Sequence, residues 1–132
     1  MKKPSATQAC PCGSGLALSA CCGPLLEGSA VAPTAEALMR SRYAAHALDR
    51  EAYLLDTWHA STRPPELESQ APPRQRWIGL TILRHQRLDD THAVVEFVAR
   101  YRLGGRAHKL HETSRFVLEG QRWYYVDGDL HE

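Results

Sequence analysis

The chain has 132 residues and a mass of 14.8 kDa, with 43% hydrophobic and 23% charged residues. That length gives one compact domain with at most a small appendage, and it buries enough surface for a core that does not depend on a metal. The formal net charge of +1 gives no strong field toward nucleic acid or anionic lipid, and no apolar run reaches the roughly eighteen residues of a membrane span. Thirteen of the 16 basic residues are arginine. Arginine suits bidentate contacts with phosphate or carboxylate, and a GC-rich genome gives the same bias. The 7 histidines identify nothing by number alone.

Residues 1 to 9 are polar and expected to fray. Met1-Lys2-Lys3-Pro4 leads into no apolar stretch of the signal-peptide kind, so a cytoplasmic location is expected. All 4 cysteines follow within residues 10 to 22, as Cys10-Pro11-Cys12 and Cys21-Cys22. Four thiolates from a short knuckle and one helical turn make a tetrahedral ligand set for Zn2+. Gly13 and Gly15 supply the positive φ that a knuckle needs. Within either pair a disulfide would be strained, and a cytoplasmic chain disfavours structural disulfides; a redox or vestigial site is the alternative to zinc. The spacing predicts a short helix from Leu16 with both Cys21 and Cys22 on its last turn, and Gly23-Pro24 as its stop.

Cys10, Pro11, Cys12, Gly13, Ser14, Gly15, Cys21 and Cys22 resemble the SEC-C motif, the small zinc knuckle at the C-terminus of the SecA translocation ATPase. Motifs of this kind usually carry lysines between the cysteine pairs. Here Leu16-Ala17-Leu18-Ser19-Ala20 is uncharged, so the resemblance carries over the zinc scaffold without the basic docking face.

Leu25 and Leu26 are expected to dock the knuckle on the main domain, and residues 28 to 33 to form a linker. The division expected is a zinc knuckle over 1–30 and an α+β domain over 31–132. Thr34 reads as the N-cap of a helix with Glu36 in its first turn. Ala35, Leu38, Met39, Arg42, Tyr43 and His46 form its inward stripe. Asp49 reads as the cap of a second helix that buries Tyr53, Leu54, Thr57 and Trp58. Residues 59 to 65 leave that helix, residues 65 to 70 allow one more turn, and Ala71-Pro72-Pro73 is expected to be extended.

The rest reads as an antiparallel meander. Arg76 to Arg87, Thr91 to Leu103, His108 to Leu118 and Arg122 to Val126 are the strands, with turns at Asp89-Asp90, Gly104-Gly105 and Glu119-Gly120-Gln121. Helices on one face of such a sheet leave a cavity beneath them. Leu110, Phe116 and Leu118 set the inward phase of the third strand, which turns Glu112 and Ser114 inward too. A buried carboxylate needs a partner or a shifted pKa, and Arg42 is the expected partner, as a buried ion pair. Arg42, Tyr43, His59, Arg63, Glu112 and Ser114 are the candidate pocket residues.

Arg40-Ser41-Arg42-Tyr43, Tyr53-Leu54-Leu55, Thr57-Trp58-His59, Ser61-Thr62-Arg63-Pro64 and His111-Glu112-x-Ser114-x-Phe116 resemble the bacterial YchJ family over nearly the whole chain. The resemblance implies a SEC-C motif followed by a nuclear transport factor 2-like cone, and no established activity. Ala60 stands where the family often has proline, and the second C-terminal cysteine knuckle of some members has no counterpart here. Three functions compete: an adaptor that engages a protein partner, a small-molecule binder or enzyme working around Glu112, and a ribosome or nucleic-acid binder. The adaptor is the leading expectation, with no catalytic residue assigned and no membrane association.

Overall fold

The computed structural model describes residues 8–67 and 75–131. Three short helices pack on one face of a curled four-stranded antiparallel sheet, with the cysteine cluster at the N-terminal end. The helices are α1 (Gly23–Glu27), α2 (Ala35–Ala47) and α3 (Glu51–Asp56). The strands are β1 (Arg76–Arg87), β2 (His92–Leu103), β3 (Arg106–Glu119) and β4 (Arg122–His131), paired in chain order. The expected extended segment Ala71-Pro72-Pro73, and the end of the 65–70 turn, lie outside the described residues.

The knuckle is built differently from its sequence expectation. A 3₁₀ turn, Leu18–Ala20, precedes Cys21, and Gly23-Pro24 opens α1 where a helix stop was expected. Proline fits there because the first helical turn leaves its N–H groups unbonded. Gly23 is required for space: a Cβ on it would lie 2.7 Å from the Leu18 carbonyl oxygen. The stop is Gly28 instead, left-handed at φ 82°. Leu25 and Leu26 pack against the common core, so knuckle and domain share one hydrophobic interior.

In α2 the expected cap holds: the Ala37 N–H donates to Thr34 Oγ1 at 3.0 Å. The second expected cap does not. Asp49 takes a left-handed conformation (φ 59°) and ends α2 in a Schellman arrangement. The Arg50 N–H reaches back to the Ala45 carbonyl at 2.8 Å and the Asp49 N–H to that of His46 at 3.5 Å. The N-cap of α3 is therefore Arg50. Aspartate tolerates this backbone better than most residues, so a cap-type residue serves as a C-terminal brake.

The core lies between α2 and the inner face of the sheet. Ala35, Leu38, Met39, Tyr43 and Ala44 from α2 meet Ala93, Val95, Phe97 and Ala99 from β2 and Phe116 from β3. Each large apolar side chain so buried contributes about 1.5–3 kcal/mol. β2 alternates buried and accessible positions through its first half, as period-two phasing requires.

Register breaks curl the sheet. β1 slips against β2 between Trp77 and Gly79 and again between Ile82 and Arg84, and β4 slips against β3 at Arg115/Phe116. The last break has a large consequence. Phe116 pairs with Tyr125 and Arg115 with Asp127, so Val126 is the extra residue. Without it, Asp127 would share the inward face of Trp123 and Tyr125. With it, Asp127, Asp129 and His131 turn outward and Gly128 turns inward. Arg115 Nε bonds Asp127 at 2.5 Å and its Nη1 bonds Asp129 at 2.7 Å on that outer face. β4 therefore runs five residues past the expected end at Val126, through a segment whose Asp-Gly-Asp composition reads as a turn.

The chain leaving α3 adds to the free edge of β4. His59 N–H donates to the Tyr125 carbonyl at 2.7 Å, and Tyr125 N–H to that of Thr57 at 2.8 Å. Thr62 Oγ1 donates to the Val126 carbonyl at 2.6 Å, which satisfies the bulged residue. No helix among the described residues is long and apolar enough to cross a membrane.

Candidate functional site

Two sites emerge, a thiol cluster and a cavity. In the cluster, the Sγ atoms of Cys10, Cys12, Cys21 and Cys22 all lie within 4.8 Å of one another, and none forms a disulfide. Gly13 (φ 78°) and Gly15 (φ 86°) fold the loop back, with Cys10 N–H bonded to the Leu16 carbonyl at 3.0 Å and Gly13 N–H to that of Cys10 at 3.2 Å. A tetrahedral thiolate site with bonds of about 2.3 Å places its sulfurs about 3.8 Å apart. Cys12 and Cys21 stand 3.6 Å apart, Cys21 and Cys22 3.9 Å, so the donor set fits a metal of that kind.

Polar groups surround the sulfurs. Ser14 Oγ lies 3.2 Å from Cys21 Sγ. Arg40 Nη1 donates to the Cys12 carbonyl at 3.0 Å and approaches Cys12 Sγ at 3.9 Å, while Arg40 Nε is held by Glu36 at 3.1 Å. The hydrogen bond from Cys22 brings the Cys12 thiol down to about 4, and the same bond with burial pushes Cys22 up. Arg40 thus places a positive charge beside the Cys12 sulfur.

The cavity, about 330 Å³, lies between α2 and the sheet. Aromatic side chains dominate its wall: Tyr43, Trp58, Trp77, Tyr101 and Tyr125, with Phe97 and Leu110 beside them. Its polar groups are Arg42, His46, Glu112, Ser114 and Gln75.

The expected Arg42–Glu112 ion pair is absent among the described contacts. Arg42 is buried at 6% exposure, and its Nη1 donates to the Leu54 carbonyl and to Thr57 Oγ1, both at 2.7 Å. Its guanidinium lies 4.6 Å from the centre of the Tyr125 ring and 5.5 Å from that of Trp58. The end of α3, where helical carbonyls lack amide partners, competes for the cation and wins. Burial lowers the Arg42 pKa to about 10, so it remains cationic at neutral pH. Glu112 is held instead by Ser114, whose Oγ donates to Oε2 at 2.5 Å. Tyr125 is pushed up to about 12, by burial first and then by the Glu112 charge. His46 lines the cavity against Trp77, ring centres 5.7 Å apart, but unlike the rest of its expected inward stripe it is exposed to solvent; the surrounding protein and then the Arg42 charge push its pKa down.

Comparison with known proteins places this architecture. The family model described as "YchJ, middle NTF2-like domain" matches residues 34–128, and the SEC-C motif matches residues 7–24. The chain belongs to the YchJ family. A UPF0225 protein of Bordetella parapertussis is 58% identical over 131 residues, covering 98% of each chain. One from Cupriavidus metallidurans is 57% identical over 129 residues, covering 93% of this chain and 89% of the relative. The solution structure of a SEC-C motif containing protein from Rhodopseudomonas palustris superposes with a TM-score of 0.82 at 36% identity, over 93% of this chain and 98% of that one. The crystal structure of a SEC-C motif containing protein from Psychrobacter arcticus gives 0.80 at 28% identity, over 96% and 85%.

Within this YchJ-family fold the six candidate pocket residues divide. Arg42, Tyr43, Glu112 and Ser114 line the cavity together. His59 and Arg63 do not. The His59 ring is fixed between Ser61 Oγ at 2.7 Å and Glu119 Oε2 at 2.9 Å, and Arg63 Nε donates to the Trp58 carbonyl at 3.1 Å. Their backbone belongs to the segment paired with the β4 edge, and that pairing carries both side chains away from the cavity. Sequence reasoning missed Tyr125 and Tyr101 as cavity residues. Alternation along β4 with the buried Trp123 was the available signal for Tyr125, and alternation along β2 for Tyr101.

Proposed function

We propose that this protein is a zinc-stapled binding protein whose cone cavity takes a small ligand with a planar apolar body and a neutral or zwitterionic polar end. The observation that carries the reading is the unpaired arrangement of Arg42 and Glu112. One buried guanidinium and one carboxylate face a common aromatic cavity, each held by neutral groups and not by the other. An internal ion pair would make the site a structural tie. Left apart, the two charges offer an acceptor and a cation to a ligand, while the aromatic wall supplies contact area. The volume falls at the lower end of the range for small-molecule sites.

Zinc is the ion proposed for the cysteine cluster, from the four-thiolate donor set. Native mass spectrometry tests it: one zinc per chain, released by a chelator, is expected at this site, and a disulfide-bonded, metal-free protein in reducing buffer would overturn it.

The cavity reading is tested with indole and benzamide as probes. Binding should shift the indole N–H resonances of Trp58 and Trp77. It should be lost in Ala99→Leu and in Leu110→Trp, both of which fill the cavity, with the sheet signature of each variant confirmed by circular dichroism. No shift at millimolar probe, or equal shifts in both filled variants, would refute the reading.

The adaptor reading is supported by exposed apolar side chains, Leu16 on the knuckle and Val31, Ile78, Leu83, Leu88 and Leu130 elsewhere. They are scattered over several elements, whereas the aromatic wall and polar groups of the cavity converge on one site, so the cavity takes precedence.

A further inference from the structure

The outer face of the sheet, opposite the cavity, gathers a second set of ligating side chains. Glu96 on β2, His111 on β3 and His131 on β4 offer one donor atom each, all within 4.8 Å of one another. His111 and His131 are direct cross-strand partners with ring centres 4.4 Å apart. Glu96 Oε2 lies 2.7 Å from His111 Nε2. The bulge at Val126 makes this possible, because it is what turns His131 to the outer face.

The neighbours leave the cluster free to act. Arg84 approaches the other carboxylate oxygen of Glu96, at 3.6 Å, and so leaves Oε2 directed at His111. Asp129, the nearest further acid on β4, is occupied by Arg115. Thr113 Oγ1 lies 2.7 Å from His131 Nε2 and fixes the orientation of that ring.

We propose that Glu96, His111 and His131 form an open binding site for a divalent first-row transition-metal ion, separate from the cysteine cluster. Two imidazoles and one carboxylate are the donor set that suits zinc, nickel or iron, and they leave outward positions for water. Ligands at about 2.0–2.2 Å from one ion stand about 3–3.5 Å apart, so small side-chain rotations on three fixed strands close the site. The ion takes the place of the hydrogen bond between His111 and Glu96.

The test uses the full chain with its cysteine cluster already saturated with zinc. Calorimetric titration with further zinc should show one additional equivalent per chain. The imidazole resonances of His111 and His131 should move, while those of His59 and His92 stay. His111→Gln and His131→Gln should each weaken this second event at least about tenfold while the cluster keeps its own zinc. His131 lies at the very end of β4, so its variant leaves the fold intact. No second equivalent up to millimolar zinc, unchanged affinity in both variants, or movement centred on other histidines would overturn the proposal.

Discussion

Gly128 lies directly beneath the carboxylate of Glu112. A Cβ at this position would overlap Oε2 and sit 2.8 Å from Cδ and 3.1 Å from Cγ of that side chain. The two are near neighbours across the β3–β4 ladder, where Glu112 pairs with Leu130 and Ser114 with Gly128. The glycine is the floor on which the acid rests.

Gly128→Ala should therefore push Glu112 off its Ser114 hydrogen bond and cost about 1–3 kcal/mol, the range for overpacking a closed site. Denaturant unfolding measures this. Adding Glu112→Ala should recover at least half the loss; equal costs with and without Glu112 would show that the contact is not the cause.

Substitutions of Arg42 and Glu112 should act almost independently on stability. A buried pair broken at one end costs about 3–5 kcal/mol, but Arg42 is satisfied by Leu54 and Thr57. Glu112→Gln should cost about 1 kcal/mol or less. The Arg42→Met/Glu112→Gln cycle should give a coupling below about 0.5 kcal/mol. A coupling above about 2 kcal/mol would restore the ion pair that the sequence suggested.

Arg40→Ala should loosen the metal without unfolding the sheet. Arg40 fixes the Cys12 carbonyl and places positive charge beside its sulfur. Loss of such a support weakens metal retention on the order of tenfold, which competition with a chromophoric chelator would read. Full metal removal, or Cys21→Ser, should release the knuckle and α1 while leaving the strand signal in circular dichroism. Collapse of that signal would mean the domain depends on its metal.

His46 should make the protein less stable in acid. The surrounding protein and the Arg42 charge hold its folded pKa below the ordinary 6.5 even though the residue is exposed to solvent at the cavity, so just below pH 6.5 the unfolded chain binds the extra proton. Stability from this group is complete above pH 6.5 and is lost as pH falls through the folded value. His46→Gln should flatten the wild-type decline between pH 7 and pH 5. An identical decline in both proteins would assign it elsewhere.

Much was legible in the sequence because it depends on local chemistry. Four cysteines at that spacing can converge only through a tight glycine knuckle, and period-two patterning fixed the inward face of β2 and β3 wherever large apolar residues marked it. Thr34 capped α2 because an N-cap needs only the residues that follow it. What required the tertiary structure were choices between competing partners. Gly23-Pro24 is chemically suited both to ending a helix and to starting one, and in the folded chain it starts α1, with the close approach of the Leu18 carbonyl leaving room only for glycine at position 23. Arg42 points inward as its stripe requires, but whether it meets Glu112 or the end of α3 depends on where α3 docks. Asp127, Asp129 and His131 face outward because of one extra residue in β4, and a bulge is set by pairing with β3 and by the Thr62 bond to Val126, neither of which is local to the strand.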